Sequence, residues 1–108
     1  MVGQIVFSAE VEEYLDNLVF KLYLKDYFGF IEDAYNYVQA LVKFTVSNIF
    51  TLPHKKLPIS LKLLGTYYIS YSSNKQTTWY IIFDKNDDEI FVTFIFNNHE
   101  KFAQYLDL

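Results

Sequence analysis

The stretch Leu64-Gly65-Thr66-Tyr67-Tyr68-Ile69-Ser70-Tyr71-Ser72 alternates with a two-residue period. Tyr67, Ile69 and Tyr71 fall on one side, and Thr66, Tyr68 and Ser70 on the other, the signature of a strand with two distinct faces. Ser73-Asn74-Lys75-Gln76 follows as a polar turn of hairpin length, then Thr77-Thr78-Trp79-Tyr80-Ile81-Ile82-Phe83, rich in the β-branched and aromatic residues that suit a pleated surface. Asp84 to Asp88 reads as a second turn. Glu89 to Phe96 is apolar on both faces apart from Thr93, which predicts a central strand covered on both sides. Three strands in a meander therefore form the second half of the chain.

Working outward, the period changes. Upstream of the loop Thr51 to Ser60, which carries Pro53 and Pro58, apolar residues recur every 3.6 positions. Ile31, Ala34, Tyr35, Val38, Leu41, Val42, Val46 and Ile49 predict the inner face of a helix from Phe30 to about Phe50. Before it, Val11, Leu15, Leu18, Val19 and Leu22 predict another, opened by Ser8 as N-cap, with Glu10, Glu12 and Glu13 at its positive end. That helix should stop near Tyr27, with Gly29 as the break, so the two form an antiparallel hairpin. Gln4 to Phe7 is a short apolar strand. Downstream, Asn97-Asn98 ends the last strand, Asn98 is suited to N-cap a short helix over His99 to Leu106, and Phe102, Ala103 and Leu106 should turn inward. The expected fold is α+β: a small antiparallel β-sheet packed by an N-terminal helical hairpin, in the order β-α-α-β-β-β-α.

Composition limits the function. The 108 residues are 52% hydrophobic and 20% aromatic, which excludes intrinsic disorder. One domain over residues 1–108 is expected at this length. With no cysteine, neither a disulfide scaffold nor thiol chemistry is available. The longest nearly pure apolar run, Ile90 to Phe96, is far below the ~20 residues of a membrane span, and Met1-Val2-Gly3-Gln4 has no signal-peptide character. A cytoplasmic protein without membrane partners is expected. The formal net charge is -4, and all nine basic residues are lysine, which argues against direct binding of nucleic acid.

Chemistry-bearing residues are sparse. No metal-ligand spacing and no phosphate-binding glycine loop occurs, so neither metal nor cofactor is expected. His54-Lys55-Lys56, with Lys62 nearby, is a cationic loop of the kind that stabilises a phosphate, against the plainer reading of a solvated loop. His99 is a candidate acid or base. Aromatic residues on the hairpin, Tyr14, Phe20, Tyr23, Tyr27 and Tyr37, exceed what a solvent face needs and mark a candidate docking surface, to which Trp79 on the strands is added.

The element order, together with Gly65-Thr66-Tyr67-Tyr68-Ile69-Ser70-Tyr71, Thr77-Thr78-Trp79-Tyr80-Ile81-Ile82-Phe83 and Thr93-Phe94-Ile95-Phe96-Asn97-Asn98-His99, resembles the RelE/ParE toxin superfamily, most closely its ParE-like members. Leu64 to about Leu106 carries nearly all of the likeness. The resemblance implies the toxin of a bacterial type II toxin–antitoxin pair, of the kind linked to plasmid stabilisation and held inactive by a small cognate antitoxin. RelE-like members cleave messenger RNA on the ribosome, whereas ParE-like members poison DNA gyrase by binding it. RelE-like nucleases rely on clustered Arg and Lys with a C-terminal Tyr or His. Here Lys55, Lys56, Lys62, His99 and Tyr105 stand as the partial substitute, and guanidinium is not replaced conservatively by ammonium. The resemblance therefore favours a protein-binding, ParE-like toxin with antitoxin and gyrase as partners. An mRNA interferase and a non-toxic relative that binds antitoxin or dimerises are the alternatives.

Overall fold

The computed structural model describes residues 3–25 and 28–106. Its fold is α+β, with two helices and a five-stranded sheet. The strands are β1 (Gln4–Phe7), β2 (Lys55–Lys56), β3 (Tyr67–Ser72), β4 (Thr78–Asn86) and β5 (Glu89–Asn97), and the helices α1 (Ala9–Leu24) and α2 (Ile31–Asn48). Two short 3-10 helices, Ile59–Leu64 and Lys101–Leu106, complete it. The sheet order is β1-β5-β4-β3-β2.

The sheet is mixed, where an antiparallel one was expected: β1 pairs parallel with β5, through the register Gln4↔Glu89 to Phe7↔Val92. Nearly the whole chain separates these strands, so no local turn announces their pairing. A second difference is β2. Lys55–Lys56, expected within a loop, pairs with Tyr68 and Tyr67 at the far edge. The meander itself follows the two-residue pattern, with Tyr71↔Trp79 and Tyr68↔Ile82 in register. Its first strand begins at Tyr67, because Ile59–Leu64 forms a 3-10 turn after Pro58. The turn after β4 shrinks to Asp87 and Asp88, with Asp87 in the left-handed region that aspartate tolerates better than most residues.

Between Ile82 and Phe83 the β4–β5 register slips by one residue. Ile82 faces Phe94 and Phe83 faces Val92, which leaves Thr93 unpaired as a β-bulge. Its hydroxyl donates to the Leu64 carbonyl at 2.6 Å. The bulge moves β5's helix-side residues from even numbers (Ile90, Val92) to odd (Ile95). Thr93, the one polar interruption of that apolar run, is thus where the strand changes step. Gly65 lies against it: a Cβ there would come within 2.6 Å of Ile82 Cγ2 and 2.8 Å of Thr93 Oγ1. No side chain fits in that gap.

Both faces of the sheet are covered. On one, α1 and α2 pack Val11, Leu15, Leu18, Val38, Leu41 and Ile49 against Ile69, Trp79, Ile81, Phe83 and Ile95. On the other, Leu61 and Leu106 from the 3-10 helices close over Tyr68, Tyr80, Ile82 and Phe96. Ser8 caps α1, its Oγ accepting the Val11 amide at 3.1 Å. The tail is a 3-10 helix whose turn is held by Asn97, not Asn98: Asn97 Oδ1 accepts the His99 amide at 2.8 Å. Asn98 instead clips the β3–β4 turn, taking the Thr78 amide and donating to the Gln76 carbonyl.

Candidate partner-binding site

The buried stripe of α2 is Ala34, Val38, Leu41 and Thr45, continued by Ile49. Ile31, Tyr35 and Val46, expected inside, are exposed, and Val42 is half-buried. The apolar arc read from the sequence was wider than one helix can turn toward a single sheet, so part of it faces outward. Thr45 takes a core position because its hydroxyl donates back to the Leu41 carbonyl at 3.0 Å, leaving nothing polar unsatisfied.

The outward part builds a cleft. Between α1 and α2 lies an open groove of about 600 Å³, floored by Leu15, Val19 and Val38 and walled by Phe20, Ile31 and Tyr35. Phe20 is 56% exposed and Tyr35 53%. Leu24 and Phe30, both largely exposed, add further apolar surface on the hairpin. Two carboxylates, Asp16 and Glu32, line the same groove. Large exposed apolar side chains gathered around a concave surface with a few charges suit a protein partner.

The sequence-derived docking residues divide. Phe20 and Tyr23 are exposed on α1. Tyr27 lies outside the described residues. Tyr14 is half-buried; its hydroxyl points to Glu100 Oε2 at 3.4 Å, and burial, the Glu100 charge and that hydrogen bond together push its ionisation well above the usual tyrosine range. Tyr37 is half-buried and accepts the Trp79 indole N–H at 2.9 Å while pairing with Ser73 Oγ at 2.7 Å. Trp79 is only 1% exposed, so it belongs to the core and offers no surface to a partner. Ile31 and Tyr35, missed as surface residues, take the place it was given. The excess width of the α2 apolar arc was the available signal.

The two histidines among the chemical candidates lie at opposite ends of β4. His54 is half-buried with its Nε2 on the Ile49 carbonyl at 2.6 Å, closing the C-terminal end of α2, and its ring against Phe83 and Tyr67. Lys55 and Lys56 are exposed on the edge strand. Lys62 lies by a shallow cleft of about 400 Å³ that also contains Gly65, Thr66, Asp84 and Thr93, where Thr66 donates to Asp84 at 2.7 Å. His99 is exposed at the other end of β4, its Nε2 3.3 Å from Thr77 Oγ1. Phe83, against the His54 ring, and Thr78, next to the Thr77 that His99 meets, are five strand residues apart, about 17 Å at ~3.4 Å per residue. Tyr105 is exposed on the tail 3-10 helix. A phosphate held by the lysines of β2 would be out of reach of His99. Among the described residues no cluster of metal-ligating side chains occurs, and no helix is long and apolar enough to cross a membrane. The chain matches no protein-family model, no curated protein and no solved structure.

Proposed function

We propose that this chain acts by binding other proteins, as a ParE-like toxin neutralised by a cognate antitoxin that covers the hairpin cleft, with DNA gyrase as the cellular target. The observation that carries the reading is the apolar cleft between α1 and α2, with Phe20, Ile31 and Tyr35 left in solvent. Side chains of this size cost solubility when exposed, and a partner that buries them recovers that free energy. The resemblance of the β3–β5 half to the RelE/ParE superfamily supplies the class of partner. The separation of His99 from His54, Lys55 and Lys56 along β4 supports the binding branch over the ribonuclease branch, because proton transfer requires groups within hydrogen-bond reach of one another.

Induced expression tests it. Growth arrest is expected, relieved by a small protein encoded beside this gene, with inhibition of gyrase supercoiling at stoichiometric protein. Phe20→Asp with Tyr35→Asp should weaken antitoxin binding at least about tenfold while leaving the melting temperature nearly unchanged. Harmless expression, or new 5′ ends inside translated messages with gyrase unaffected, would overturn the gyrase reading.

A further inference from the structure

The two edges of the sheet are finished differently. β2 is two residues long, both exposed lysines, with Pro53 and Pro58 close on either side. Short length, lysine and proline are the devices that keep an edge strand from pairing with another chain. β1, Gln4-Ile5-Val6-Phe7, carries no charge, proline or glycine. On its inner side the Gln4 amide donates to the Asp88 carbonyl and the Ser8 amide to the Val92 carbonyl, both at 3.0 Å. Backbone groups alternate along a strand, so Val6 also turns inward, and the N–H and C=O of Ile5 and Phe7 point out from the sheet. Among the described residues no hydrogen-bond acceptor meets those two amides.

We propose that β1 pairs antiparallel with β1 of a second copy of this chain, about a two-fold axis through Val6. That centre sets Ile5 opposite Phe7 of the second copy, so each outward N–H meets an outward C=O, and the same contact is repeated across the axis. Val6 then faces its own counterpart as a non-hydrogen-bonded pair, the close type, with Cα atoms about 4.5 Å apart. It is 36% exposed and turned to the face opposite the helices, while Ile5 and Phe7 pack into the helix-side core. A second copy is the occupant this edge fits best. The strand is apolar on both sides of its centre and its hydrogen-bonding groups are complementary to themselves, with no charge asking for an opposite charge. A four-residue edge buries less than the ~1,000 Å² of a stable interface, so the dimer is weak and concentration-dependent. Each copy carries a net charge of -4, so salt should strengthen it. The β1 edge shares no residue with the hairpin cleft, and its pairing does not depend on what binds there.

Single-cysteine cross-linking decides the matter, since the chain has no cysteine of its own. Val6→Cys, oxidised mildly with oxidised glutathione, should give a disulfide dimer, because its pair distance lies within disulfide geometry. Gln4→Cys should remain monomeric: its two copies lie about 14 Å apart across the axis at ~3.4 Å per residue. Sedimentation of the native chain should show a dimer fraction that grows with protein concentration and with salt. Val6→Lys should raise its dissociation constant at least about tenfold with the melting temperature unchanged. Equal cross-linking of the two cysteine variants overturns the proposal. So does a dimer indifferent to Val6→Lys, or a Val6→Cys chain that stays monomeric, which would leave the edge to a foreign strand.

Discussion

The two faces of the sheet are buried by different means. The helix-side face lies under sixteen- and eighteen-residue helices, whose apolar stripes engage β3, β4 and β5 together. The opposite face lies under two six-residue 3-10 turns that place Leu61, Leu64, Phe102, Ala103 and Leu106 over the strands. To make so little cover suffice, the strands supply the bulk themselves. Tyr68, Tyr80, Phe94 and Phe96 form a run of aromatic neighbours, with ring centroids 6.0 Å apart for Tyr68–Tyr80 and 5.3 Å for Tyr80–Phe96. A long helix brings its own core residues at a fixed spacing. A short turn brings two or three, and the sheet must fill what remains.

Identical substitutions on the two faces put that contrast under the greatest strain. Leu41 and Leu61 are both buried, one beneath the hairpin and one beneath a 3-10 turn. Leu41→Ala should cost about 3–5 kcal/mol, since a helix clamped along its length cannot collapse into the cavity. Leu61→Ala should cost about 2 kcal/mol, because a short turn can settle inward. Urea melts of the two variants compare them directly, and equal losses would mean that the covers are equally rigid.

A smaller effect is expected at the bulge in β5. Thr93→Val keeps the shape but removes the donor to the Leu64 carbonyl, for a loss of about 1–2 kcal/mol. A neutral result would show that water takes over that carbonyl. The smallest effect concerns the bridge between the two covers, where Tyr14 of α1 meets Glu100 at the start of the tail. The folded protein holds Tyr14 protonated to higher pH than the unfolded chain does. Its contribution is therefore complete below the usual tyrosine pKa of about 10 and declines as pH rises beyond it. Stability measured from pH 9 to 11 should fall less steeply in Tyr14→Phe than in the parent. Tyr80, also raised by burial and by Tyr68, retains part of the slope in both.

Legibility follows the length of each element. The hairpin was readable because sixteen or more residues repeat their period several times, and β3 because Tyr67, Ile69 and Tyr71 alternate cleanly with Tyr68 and Ser70. The 3-10 turn over Ile59–Leu64 repeats nothing, and Lys55–Lys56 has no pattern that marks it as an edge strand. At the candidate site, Phe20 and Tyr23 were singled out, whereas Ile31 and Tyr35 were assigned to the core, because an apolar arc shows that a helix has an inner face without showing where that face ends. Trp79 was given to the surface for the opposite reason: an indole with its N–H satisfied by Tyr37 is a core residue, and that partner is 42 positions away.

Local sequence was therefore enough for the α+β class, the hairpin, the three-strand meander and the capping of α1, all of which rest on contacts between near neighbours in the chain. Tertiary structure alone decided the rest. It set the parallel pairing of β1 with β5, the bulge at Thr93, which of two apolar stripes on α2 stays in solvent, and the separation of the lysines from His99. Most of these depend on which distant segment packs most favourably at a shared face or edge. Periodicity cannot encode that, because hydrophobic burial is non-directional and rewards any apolar surface that reaches the site.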